Sequence, residues 1–213
     1  MSTILPGNQE SAALALDGGV YGLLARRHVM QLKEALVINA TDNPKIMAAL
    51  YAKGLAPNPE GMTAKQCASA IYDQVPSNNF FEGVDMSGEC FDAFKYFINC
   101  EVMRVGMFHG SNLAGITLPP NLITIGSQAL AGFKGTTITI PASVTSVVGL
   151  AFQSSWGLAK VICDGSTPFK IVSNSFAGST TTFYVPDDAV DAYKSAWSGI
   201  GTYSDRVKPI SEL

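Results

Sequence analysis

The sequence predicts an α+β protein: a helical N-terminal region over residues 1–78, a linker at 79–90, and a short β-solenoid over 91–213 with a C-terminal capping helix. Three observations predict it. Helix start and stop signals crowd the first third of the chain. Two apolar markers then recur at one shared interval. An amphipathic segment after the last repeat reads as helix.

The helical region is read from its punctuation. Tyr21 to Asn39 carries Leu24, His28, Leu32, Ala35 and Leu36 near the helical period. Asn43 is placed to cap a second helix with Pro44 at its first position, running to Lys53 and stopped by Gly54. Leu55 to Glu60 contains Pro57 and Pro59 and is a turn or linker. Thr63 and Gln66 make a capping box for a third helix that ends before Pro76. Met47, Leu50 and Tyr51 should pack against Cys67, Ala70 and Ile71. Such stripes belong to a core.

After Phe80 the grammar changes. Ile116-Thr-Leu-Pro-Pro-Asn-Leu122 matches Ile138-Thr-Ile-Pro-Ala-Ser-Val144, 22 residues on. Val161-Ile-Cys-Asp164 and Phe183-Tyr-Val-Pro186 continue the series. A second marker recurs as Met107-Phe108, Ala129-Leu130, Ala151-Phe152 and Ser175-Phe176, spaced 22, 22 and 24. Two markers on one period define a repeat array. Period-two alternation turns Ile116/Leu118, Ile138/Ile140, Val161/Cys163 and Phe183/Val185 inward. The intervening Thr117, Thr139, Ile162 and Tyr184 then face out, as the candidate binding face. One unit buries too little alone, and stacked neighbours share a core.

The segments "ITLPPNLITIGSQAL" and "ITIPASVTSVVGLAF" resemble leucine-rich repeats of the BspA type, found in surface proteins of anaerobic gut bacteria and in phage proteins. The resemblance covers about residues 91–213. It implies a leucine-rich-repeat solenoid, with "FDAFKYF" from Phe91 as its leading segment and "YVPDDAVDAYKSAW" from Tyr184 as its closing one. The sequence departs from the pattern at Asp164, where Pro is expected, and at Val148, where Gly is expected. Read without the family, Asp187 or Asp188 is placed to cap a helix carrying Val190, Tyr193 and Trp197. Phe91, Phe94 and Phe97 would close the other end, leaving 91–213 able to fold alone.

Chemistry is sparse. Charged residues are 15% of the chain, against a usual share of about a quarter. From Asn112 to Thr182 they are Lys134, Lys160, Asp164 and Lys170, too few for positioned acid–base work. His28 reads as a packing residue and His109 lies in a glycine-bounded turn. Asp187, Asp188 and Asp191 suit helix capping better than a calcium site, which draws on more oxygens. The four cysteines match no zinc spacing and read as buried, reduced thiols. No catalytic residue, cofactor or metal is therefore expected.

Binding remains. A net charge of −3 gives no footprint for nucleic acid, and no run approaches the roughly 18 apolar residues that insert in a membrane. A neutral face rich in Ser and Thr suits protein or glycan contacts. The resemblance adds an adhesion role. With no export signal readable, the expected setting is a phage virion, as a head fibre, capsid decoration or tail-associated subunit. Its partners would be other virion proteins, copies of itself, and a host surface protein or glycan. The alternative is a bacterial cell-surface adhesin. Residues 1–78, with their apolar stripes, would be the oligomerising anchor.

Overall fold

The computed structural model describes residues 36–70 and 80–213. Helix and strand are mixed, the helices are few, and repeated short strands dominate. The first elements are strand β1 (Leu36–Asn39), helix α1 (Pro44–Ala52), strand β2 (Gly61–Thr63) and helix α2 (Ala64–Ser69), with β1 paired to β2. β1 corrects the expectation of helix through Asn39: its β-branched Val37 and Ile38 fit a paired strand better than a helix. The rest of that expected helix, with His28, lies outside the described residues.

Helix α1 opens on Pro44 as expected, and Gly54 follows its end at φ +71°, where an L side chain would be strained. Thr63 and Gln66 make their box: the Gln66 N–H donates to Thr63 Oγ1 (3.2 Å) and the Thr63 N–H to Gln66 Oε1 (2.8 Å). Helix α2 is shorter than expected, because Ala70 is already extended at ψ 120°. Ile71 and Pro76 lie outside the described residues. Met47, Leu50 and Cys67 are fully buried and Ala70 nearly so, but Tyr51 is half exposed and takes no part in that core.

The repeats stack as parallel strands. Along one wall run β3 (Cys90–Phe91), β5 (Gly115–Ile116), β7 (Thr137–Ile140), β9 (Lys160–Cys163), β10 (Thr182–Val185) and β11 (Val207–Pro209). In this wall β3 pairs with β5, and the order β7-β9-β10-β11 forms a parallel four-stranded sheet. A second wall holds β4 (Val102–Met103), β6 (Thr124–Ile125) and β8 (Ser146–Val147), also parallel, with Lys170 bridging to Ser146. The phenylalanine markers form the third wall as turns, each donating to the next coil: Phe108 N–H to Ala129 O, Leu130 to Ala151 O, Phe152 to Ser175 O. All eight side chains expected inside are buried. Phe152 stacks on Phe176 with centroids 4.7 Å apart.

The irregularities have local causes. Asp164, standing where Pro is expected, donates its N–H to Ile140 O at 3.0 Å, a bond that proline cannot make. Val148 donates its N–H to Ile125 O, so the ladder continues through the missing glycine.

Both ends of the array differ from expectation. Residues 79–90 are not a linker in their described part: Phe81, Gly83 and Met86 donate to Met107, His109 and Ser111 carbonyls, which makes this stretch one more coil. Phe81 stacks on Phe108, centroids 5.1 Å apart and 11° from parallel. The Phe91–Phe97 segment, a 3-10 turn over Asp92–Tyr96, is therefore internal to the stack, with α2 against it. Ile38 through Leu213 form one compact unit, and no boundary between units falls at 78–91.

Glu89 is the fastening. Asn43 does not cap α1; its side-chain amide reaches Cys90 O instead. The N–H groups of Lys45 and Ile46 donate to the two Glu89 carboxylate oxygens at 2.8 and 2.9 Å, while Glu89 O accepts from the Ala114 N–H. A carboxylate from the array thus satisfies the donors and dipole of a helix start. Beside it Lys45 Nζ reaches Asp85 and Ser87. Hydrogen bonds from Ser87, then Lys45, hold the Asp85 carboxyl down at about 2 from 3.8. That contribution is present at neutral pH and is lost as pH falls from 3.8 through about 2. Glu89→Ala should cost about 2 kcal/mol in urea unfolding, since two charge-assisted bonds and a cap go together. A midpoint unchanged from wild type would show that α1 is fastened elsewhere.

At the other end, helix α3 (Val190–Ala196) follows a 3-10 turn over Asp187–Ala189. Neither Asp187 nor Asp188 caps it; Asp187 accepts from the Ser211 N–H at 3.1 Å. The aromatic side chains do the closing. Tyr193 OH donates to Gly165 O (2.8 Å), Trp197 Nε1 to Phe169 O (3.0 Å) and Tyr203 OH to Ser173 O (2.9 Å). They satisfy carbonyls of the last full coil that have no further coil to meet. The helix is not the terminus of the array, because β11 adds one more strand after it.

Candidate functional site

The outward residues of the first wall form a row. Thr139 pairs with Ile162, Ile162 with Tyr184, and Tyr184 with Lys208, all in register. Thr117 holds the equivalent place in the preceding coil, and its hydroxyl donates to Asp92 Oδ1 at 3.0 Å. Alternation along each strand puts the four predicted residues side by side because equivalent positions of stacked coils fall above one another. Their exposure is unequal. Thr117 and Thr139 are exposed and Ile162 is half-buried, but Tyr184 is buried, which removes it as a freely accessible contact. The C-terminal turn Ile210–Glu212 lies against β10, and Lys160 Nζ sits over the Tyr184 ring, 5.8 Å from its centroid.

The row is a polar strip with charged ends. Asp92 stands at one end and Lys208, paired to Glu212 at 3.2 Å, at the other. Between them are two exposed threonine hydroxyls, an isoleucine and the buried Tyr184. A second row runs beside it, where Thr137 and Thr182 flank Lys160. This arrangement can hydrogen-bond and make apolar contact.

The remaining candidates are placed elsewhere. His109 Nδ1 lies 3.0 Å from the Glu82 carboxylate, joining two coils at the surface. Among the described residues no group of three or more His, Cys, Asp or Glu is placed to hold a metal, and no helix is long and apolar enough to cross a membrane. Cys67, Cys100 and Cys163 are buried thiols, and burial pushes Cys67 up to about 12 and Cys163 upward too. Cys90 departs from the expectation of burial. It points out of β3, against Gly115, where a Cβ would come within 2.8 Å of its sulfur. Alkylation of the native protein should label Cys90 alone and all four cysteines after unfolding. Fast labelling of Cys67 or Cys163 in the native state would contradict the packing.

The stacked period, the inward apolar rows and the turn wall describe one repeat type, and a family model decides which. The model of the BspA type leucine rich repeat region matches residues 90–200 in six copies. The chain belongs to the BspA-type leucine-rich repeat family. No curated protein matches it. In this BspA-type array, two functional neighbours are hidden from the repeat interval. Lys208 lies in Val207-Lys208-Pro209, a step like those of the other coils except that Pro209, paired with Val185, stands where they have the second apolar residue. Phe80-Phe81-Glu82-Gly83 likewise repeats the form of Met107-Phe108-His109-Gly110. Both signals are present in the sequence, and both fall off the 22-residue interval.

Proposed function

We propose that this protein is a non-enzymatic adhesion module, whose repeats form a solenoid that presents a neutral outer wall to a protein or glycan. The observation that carries the reading is the in-register pair Thr139 and Ile162, with Thr117 at the equivalent place one coil before, which offers hydroxyls and a methyl-bearing surface. Family membership supports it, since such repeats suit protein interaction or adhesion. A phage particle is our proposed setting, at head or tail, with other virion proteins and copies of this chain as partners. The segment preceding β1 would attach it there. The bacterial cell surface is the alternative. The experiment is immunogold labelling of purified particles and of cells with an antibody to the repeats. Label on particles supports the virion setting, and label on cells alone overturns it. Full-length protein retained by neither cells nor particles in a sedimentation assay overturns the adhesion reading itself.

A further inference from the structure

The turn wall carries an aromatic side chain that the core does not use. Trp156 is 72% exposed, whereas Trp197, the other tryptophan of the chain, is 1% exposed. Its indole lies against the backbone of Gly178, one coil on. A Cβ at Gly178 would stand 2.9 Å from Trp156 Cζ3 and 3.0 Å from Cη2. Gly178 has φ +89°, so glycine there serves both the turn and the close seat of the ring. Leaving this much indole in water is unfavourable, and the ring is supported rather than loose.

The surroundings indicate what would lie on it. Ser154, two residues before Trp156, donates its N–H to Ala177 O, which sets its coil beside the Gly178 turn. Gln153 Oε1 accepts from Gln128 Nε2 at 3.2 Å, so amides of successive coils share this wall. In sequence, serine and glutamine precede the open aromatic face at Gln153, Ser154 and Ser155, and serine and threonine follow its seat at Ser179 and Thr180. One cation stands near, Arg206, whose Nη1 donates to Ser179 O at 3.1 Å and whose guanidinium lies over Tyr203; a lone cation so engaged is not the cluster that an anion needs. A pyranose ring has the complementary chemistry, with an axial C–H face for the indole and hydroxyls for the amides.

We propose that Trp156, seated on Gly178 beside Gln153 and Ser154, is the stacking platform of a binding site for neutral oligosaccharides. This names a ligand class for the proposed adhesion role and rests on that reading. Because Trp197 is buried, the ring reports directly: cellohexaose, laminarihexaose, chitohexaose and galactohexaose are titrated into the full chain while tryptophan emission is followed. At least one should shift the emission to the blue and saturate. Measured by isothermal titration calorimetry with the sugar that binds, Trp156→Ala should weaken binding about tenfold or more, Trp156→Tyr should restore part of it, and all three proteins should melt alike. Gly178→Ala should weaken it by displacing the ring, with circular dichroism confirming the fold. No spectral change with any of the four sugars overturns the site. So does a blue shift that grows with protein concentration alone, which would make Trp156 a contact between copies. Retention on cells or particles that Trp156→Ala leaves unchanged overturns the site while the adhesion reading stands. Loss of retention by wild-type protein removes both.

Discussion

Ile140→Asp destabilises the protein by roughly 3–5 kcal/mol, while Thr139→Asp, one residue away, costs about 0.5 kcal/mol or less. Ile140 is 1% exposed and faces the shared interior of β7, where a carboxylate finds neither water nor a counter-charge. Thr139 faces out. Similar backbone propensity costs apply to both, so the difference isolates the direction of the side chain. Urea unfolding followed by circular dichroism reads it. Comparable losses for the two variants would mean that β7 does not alternate inward and outward side chains.

A fragment of residues 91–213 fails to fold, whereas residues 36–213 fold cooperatively. The shorter fragment loses Phe81, Met86 and Glu89, and with them the coil whose Phe81 stacks on Phe108. Each large apolar side chain moved from core to water forfeits about 1.5–3 kcal/mol, and the coil's backbone bonds to Met107, His109 and Ser111 go as well. That sum is comparable with the whole stability of a domain. The check is size-exclusion chromatography beside thermal melting of both fragments. A monomeric, cooperatively melting 91–213 fragment would show that the phenylalanines of "FDAFKYF" close the array unaided.

The candidate wall was legible because its rule is local. Thr117, Thr139 and Ile162 lie between apolar neighbours, and alternation fixes the face of each before any partner strand is known. Tyr184 obeyed the same rule and still became buried, because exposure depends on what else crosses the wall. The C-terminal turn and Lys160 do so there. Cys90 erred in the opposite direction, since nothing in its flanks announces that it starts a strand on the outward side.

By itself the sequence determined the repeat family, the stack interval, the inward rows and the individual caps of α1's end and α2's start. Each of these follows from short-range pattern: period two in a strand, a capping box across three residues, a glycine where φ is positive. Tertiary structure alone decided where the array begins and ends. The coil at 80–91 and the strand β11 carry sequence signals that fall off the 22-residue interval, so it is the hydrogen bonds to neighbouring coils that establish their membership. The start of α1 was decided the same way. Its local candidate, Asn43, lost to Glu89, 44 residues away from Lys45, because a charged carboxylate accepting two helix N–H bonds outweighs one neutral amide.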